Sequence, residues 1–247
     1  MIKKLTIALL SVTASAALQA QTFPGNGMTG FGDQIGTGSI TAQISGGNVN
    51  FTITAGVGGL GNDLVLYIDS TAGGFTSTST LTDSADGGRR AVSGVGGGTG
   101  NPQTVVNFAP GFTADYGIDL TNSFANLFQL NTGSLIFTPG ATFGSTVGNV
   151  TTFSLSLASI GNPSSFRFVG NILNPNDPGT PNPNVFRSNE TFGTSTTSVA
   201  GNGNPGNTGS LTFSTFNTVA AVPEPATVLL LGPALLGGMF FVRRRRA

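Results

Sequence analysis

Val49-Asn50-Phe51-Thr52-Ile53-Thr54 decides the fold class. Apolar and polar residues alternate there without a slip, so in an extended backbone Val49, Phe51 and Ile53 share one face and Asn50, Thr52 and Thr54 the other. Thr152-Phe153-Ser154-Leu155-Ser156-Leu157 repeats the alternation a hundred residues later. Between and beyond these two stretches, residues 64–69, 104–108, 114–120, 134–137, 165–169 and 211–216 are rich in Phe, Val, Ile and Thr, the residues that suit a pleated, half-buried surface. Clusters of Gly, Asn, Pro and Ser separate them at short intervals. Helix is scarce: residues 122–129 come nearest, and Phe124, Leu127 and Phe128 fit a strand nearly as well. The pattern predicts an all-β body, an antiparallel β-sandwich or jelly-roll. No repeat persists along the chain, so residues 21–217 are taken as one domain. Residues 93–102, 174–184 and 201–209, rich in Gly, Pro and Asn, are expected to be exposed turns or loops.

Composition narrows what such a body can do. The 247 residues include 19 Phe, two Tyr, no Trp, no Cys and no His. Burying a Phe side chain contributes roughly 1.5–3 kcal/mol, and many Phe without Trp indicate a dry core rather than aromatic platforms for sugars. Without Cys or His there is no disulfide framework, no Ser/His/Asp or Cys/His nucleophile and no His-based zinc site. Between residues 21 and 222 only Arg89, Arg90, Arg167 and Arg187 stand against nine carboxylates, a net charge of −5. An acidic body with no basic stripe has nothing to neutralise phosphates, which excludes nucleic acid as a partner.

The remaining chemistry would have to come from carboxylates and glycines. A glycosidase needs two carboxyls roughly 5–9.5 Å apart. Asp115 and Asp119 lie four apart, which on a strand is about 13 Å and too far to act alone. Asp63 and Asp69 bracket another strand. No enzyme is expected, and no cofactor. Gly56-Val57-Gly58-Gly59-Leu60-Gly61 satisfies a dinucleotide-binding pattern, but a strand follows it instead of the helix that must receive the pyrophosphate, so it is expected to be a turn. Asp83-Ser84-Ala85-Asp86-Gly87 is the one candidate for a cation loop, with Asp83 and Asp86 as weak metal ligands. The alternative is a hairpin turn at Asp86-Gly87 flanked by solvated charges. Asn50, Asn149 and Asn189 each open an Asn-x-Thr sequon.

The two ends carry addresses. Lys3 and Lys4, a short apolar core at 5–12 and small residues at 13–20 predict a cleaved signal segment over residues 1–20, cut after Ala20 or after Ala16. At the other end, a linker at 218–222 leads to Pro223-Glu224-Pro225, an uncharged apolar run at 226–242, and Arg243-Arg244-Arg245-Arg246. Seventeen uncharged residues are near the lower limit for a single transmembrane helix, and the four arginines would stop transfer and stay in the cytoplasm. Pro223 and Pro225 keep Glu224 extended and accessible.

This tripartite tail, residues 223–246, resembles the PEP-CTERM sorting signal of Gram-negative, exopolysaccharide-producing bacteria, also catalogued as the C-terminal domain of ice-binding proteins. The resemblance implies processing at Pro223-Glu224-Pro225 by an exosortase, an integral-membrane cysteine transpeptidase. It also implies export through the inner membrane, transient anchoring by the C-terminal helix, and delivery to the cell surface or extracellular matrix. An ordinary stop-transfer anchor, retained after export, has the same apolar run and arginines and stays open. Residues 63–120 further resemble bacterial surface β-sandwich modules related to carbohydrate-binding domains. The expected function is therefore a non-catalytic structural role at the surface. The alternative is a module that binds exopolysaccharide.

Overall fold

A computed structural model describes residues 20–96, 103–174, 185–200 and 207–220. Two antiparallel sheets account for most of them. The first contains β1 (Gln21–Pro24), β2 (Ser39–Ser45), β3 (Asn48–Thr54), β9 (Ala141–Val147) and β10 (Val150–Ser156), in the order β1-β2-β3-β10-β9. The second contains β4 (Asp63–Asp69), β6 (Tyr116–Leu120), β7 (Ala125–Gln129), β8 (Ile136–Thr138), β11 (Ser165–Asn174), β12 (Phe186–Phe192), β13 (Ser195–Ala200) and β14 (Asn207–Phe213). Its order is β13-β14-β12-β11-β4-β6-β7-β8. β15 (Asn217–Ala220) pairs with the first half of β11, and β5 (Val105–Asn107) runs parallel to β14.

The alternation that announces strands is realised in β3 and β10, which pair with Phe51 opposite Phe153. Their rings stack at 4.7 Å, and Phe166 and Phe168 of the second sheet meet Phe51 edge-on at 6.5 and 6.3 Å. Around them Ile40, Val49, Ile53, Leu64, Leu66, Ile68, Ile118 and Leu120 close the space between the sheets. This is the sandwich core, built by period two from both sides.

β4, β6 and β11 depart from the expected pattern because they are buried on both faces. Behind the second sheet lies a further core of Val65, Tyr67, Phe108, Phe112, Phe128, Val169, Leu173 and Phe213. Part of its cover is a short helix, α1 (Gly87–Ser93), which buries Ala91 and Val92. The hairpin turn expected at Asp86-Gly87 is thus a helix start. Asp86 caps it by accepting from Arg89 N at 2.9 Å, and left-handed Gly94 closes it by donating to the Arg90 carbonyl, the ordinary signals for the two ends of a helix.

Other expectations shift at the margins. Residues 125–129 of the ambiguous segment are strand, and the alternation ending at Leu157 stops at Ser156, where a 3-10 turn (Leu157–Ile160) begins. Residues 218–220, read as linker, are the last three of β15 and belong to the body. Gly56-Val57-Gly58-Gly59-Leu60-Gly61 is a loop leading into β4. Gly56 N donates to Gln34 O and Gly58 N to Asp33 O, and a Cβ on either glycine would lie within 2.4 Å of the Asp33 carbonyl or the Gly32 carbonyl. Its glycines serve close packing of one loop on another.

β9 ends the first sheet and carries a bulge. Thr152 pairs with Ser145 and Phe153 with Phe143, leaving Gly144 without a partner on β10.

Candidate functional site

β11 brings both ends of the body to one pole. Its first residue, Ser165, pairs with Ala220, and Arg167 pairs with Asp69 on one side and Thr218 on the other. Gln21, at the start of β1, donates through Nε2 to the Ala220 carbonyl at 2.7 Å. The first and last strands therefore emerge side by side.

An open groove of about 570 Å³ lies at this pole, lined by Asp69, Ser70, Thr113, Arg167, Phe216 and Thr218 among others. The Arg167 guanidinium sits over the Phe216 ring at 5.0 Å, and its Nη1 donates to Asp69 Oδ2 at 3.2 Å and to the Gly111 carbonyl. Asp69 Oδ2 also accepts from Thr113 N at 3.2 Å. Burial raises the Asp69 carboxyl above its ordinary value, against the pull of Thr113 N–H and Arg167. Arg167 is 44 % exposed, whereas the Arg89 side chain is 25 % exposed and Arg187 is fully buried. Among these it offers the most accessible positive charge on an acidic body. A cation, a carboxylate, several hydroxyls and an aromatic face in one open groove can hold a polyhydroxylated or anionic ligand.

Asp83 and Asp86 are engaged otherwise than as cation ligands. Asp83 is buried; its Oδ2 accepts from Leu135 N at 2.8 Å and pairs with Arg89 Nε at 3.2 Å. Asp86 caps α1 and pairs with Arg89 Nη1. Among the described residues no group of three or more His, Cys, Asp or Glu side chains is arranged for a metal.

The carboxyls that do meet are Asp63 and Asp119. Val65 pairs with Asp119 across β4 and β6, so Asp63, two residues before Val65, stands diagonally beside Asp119 on the same face. The two carboxyls act directly on one another's ionisation. Asp119 is 0 % exposed, and no N–H or O–H donor reaches either of its oxygens. Burial first, and then the neighbouring Asp63 and Asp86 charges, push Asp119 up to about 8. Burial pushes Asp63 up to about 6, against the lowering influence of Asp119 and of the Arg90 charge. Burial and mutual repulsion both oppose ionising the two adjacent carboxyls together. The spacing of Asp115 and Asp119 gave no hint of this: Asp115 turns to the other end of the strand, where its Oδ2 accepts from Ser70 N and Thr71 N, both at 2.8 Å.

Two more buried polar clusters organise the body. Tyr67 is fully buried in a central strand and donates to the Val92 carbonyl at 2.6 Å while accepting from Arg187 Nη2 at 3.0 Å. Arg187 also donates to Asn171 Oδ1 at 3.0 Å. Tyr67 therefore cannot act as a platform for a surface ligand. Glu190, also fully buried, accepts four backbone N–H groups, from Phe31 and Asp33 at Oε1 and from Gln34 and Ile35 at Oε2, at 2.5–3.2 Å. It thereby fixes the loop before β2. Asn189 and Asn149 of the sequons bond to backbone, Asn189 Oδ1 accepting from Gly30 N and Asn149 Nδ2 donating to Gly56 O.

Pro223, Glu224, Pro225, Arg243, Arg244, Arg245 and Arg246, the apolar run 226–242 and residues 1–19 of the signal segment lie outside the described residues. Among the described residues no helix is long and apolar enough to cross a membrane. The fold and groove define a two-sheet antiparallel β protein with an open polar groove beside the first and last strands of the described body. No protein-family model, curated protein or solved structure matches the chain.

Proposed function

We propose that the protein is an exported, transiently membrane-anchored surface or matrix protein with a non-catalytic, structural role. Residues 1–20 direct export, 226–242 form a single transmembrane helix stopped by Arg243–Arg246, and an exosortase-like transpeptidase processes the chain at Pro223-Glu224-Pro225. The observation that carries this reading is the tail itself, Pro-Glu-Pro, apolar run and arginine cluster in that order. The body's geometry is consistent with it: β1 and β15 lie side by side at one pole, so the chain enters and leaves the body at neighbouring points. Intact mass of the protein recovered from the cell surface tests the proposal. Loss of everything beyond the Pro-Glu-Pro segment is expected, whereas retention of residues 226–247 would leave only a permanent anchor.

The groove favours a second reading, a module that binds exopolysaccharide. Arg167, Asp69 and the hydroxyls of Ser70, Thr113 and Thr218 offer donors and acceptors for sugar hydroxyls or a uronate carboxylate. Pull-down on the host's own exopolysaccharide with wild type and Arg167→Ala separates the readings. Binding that disappears in the variant supports the module, and no binding by wild type supports a purely structural role.

A further inference from the structure

We propose that the Asp63–Asp119 pair is a proton-operated clamp that seats α1 on the second sheet: with one proton between the carboxyls the helix docks, and with both carboxyls ionised its docking weakens. The geometry is specific. Asp119 projects from β6 into the dry space beneath α1, and both its oxygens lack any N–H or O–H donor. α1 comes down directly upon it, since a Cβ placed on Gly88 would lie 2.9 Å from Asp119 Oδ2 and 3.2 Å from the Phe128 ring. A side chain at position 88 would have to push the Asp119 carboxyl aside, so the helix backbone itself forms one wall of the site. Asp63 reaches the same spot from β4, two residues from the Val65–Asp119 pairing.

The charged and titratable neighbours set the sense of the response. From α1 and its cap come Asp86, Arg89 and Arg90. Arg89 is held by Asp83 and Asp86, and Arg90 acts on Asp63. Asp86 adds a further negative charge against Asp119. From β4 comes Tyr67, which is bonded to Val92 and Arg187, while β7 contributes the uncharged Phe128. A second negative charge on the pair would therefore face one attractive guanidinium and one repulsive carboxylate, at a position closed off from the surface.

The sign of the pH effect follows. An unfolded chain releases both protons near pH 4, whereas the folded pair keeps them to higher pH, because burial raises Asp63 to about 6 and Asp119 to about 8. The stabilisation is fully present below about pH 4. It declines as pH rises and is lost once Asp119 has ionised, above about 8. What weakens first is the seat of α1, whose burial rests on Ala91 and Val92.

Calorimetry of the full chain from pH 5 to pH 9, on wild type, Asp119→Asn and Asp63→Asn, tests the clamp. Wild-type Tm is expected to fall across pH 6–8, and Asp119→Asn to flatten that fall and melt about 3 °C or more above wild type at pH 9. Protection of the α1 amides against hydrogen exchange, taken relative to their intrinsic exchange rates, should fall over the same interval in wild type only. If Asp119→Asn fails to fold, the infrared band of a protonated carboxyl in wild type at pH 7, lost by pH 9 and lost at lower pH in Asp63→Asn than in wild type, carries the test. Identical Tm profiles for wild type and both variants would overturn the proposal. A rise in wild-type Tm at pH 9 on adding calcium, absent from the variants, would also overturn it and make the pair a cation site instead.

Discussion

The two faces of the central strands β4, β6 and β11 are built on different principles. Toward the first sheet they present Leu64, Leu66, Ile68, Ile118, Leu120, Phe166, Phe168 and Ile172, all apolar and all in the sandwich core. Away from it the same strands present Val65, Val169 and Leu173 mixed with Asp63, Tyr67, Asp69, Asp119 and Asn171. One face meets a regular sheet, which offers side chains and no unpaired backbone. The other meets α1 and loops, whose backbone groups need partners, and Tyr67 supplies one to the Val92 carbonyl. A sheet packed on a sheet can be oily throughout, whereas a sheet packed on irregular chain acquires polar groups to satisfy it.

Phe51→Ala should break the apolar face most severely. It removes the ring stacked on Phe153, and a loss of about 3–5 kcal/mol is expected in denaturant unfolding. Should the loss stay near 1 kcal/mol, the sandwich core would be less tightly packed than its contacts imply. Tyr67→Phe sharpens the contrast from the other side. It deletes a single oxygen, yet leaves the Val92 carbonyl without its donor and Arg187 Nη2 without this acceptor, so a loss of about 1–3 kcal/mol is expected. A cost near zero would mean that the polar face is tolerated rather than needed. Asn50→Ala, on the solvent face of β3, should change stability by no more than about 0.5 kcal/mol. A larger effect, read from the same unfolding curves, would place a hidden partner on that surface.

The sandwich was legible because its strands are two-faced: in Val49-Asn50-Phe51-Thr52-Ile53-Thr54, solvent on one side writes the period into the residues. β4 and β11 are apolar on one face and mixed on the other, so their sequences locate strands without revealing a second core. α1 escaped for a related reason. It is only seven residues long and opens with Gly87 and Gly88, which disfavour helix by about 1 kcal/mol each, and the reason for glycine there is the approach to Asp119 rather than anything local. Its end signals, Asp86 and Gly94, were present in the sequence but resemble those of a turn. The Asp63–Asp119 meeting depends on the register of β4 on β6, between residues 56 apart in the chain, and no spacing rule reaches that far. The groove at Arg167 depends likewise on β15 returning to β11.

β9 carries a consequence for how copies of the molecule tolerate one another. A sheet margin is commonly guarded by a lysine that repels an incoming strand, yet residues 120–166, which include β8 and β9, contain no charged side chain at all. Its guard is shape alone, the unpaired Gly144 that kinks β9 and Pro139 just before it. Because shape does not respond to ions, the β9 edge itself should turn away an incoming strand equally well in fresh water and in brine.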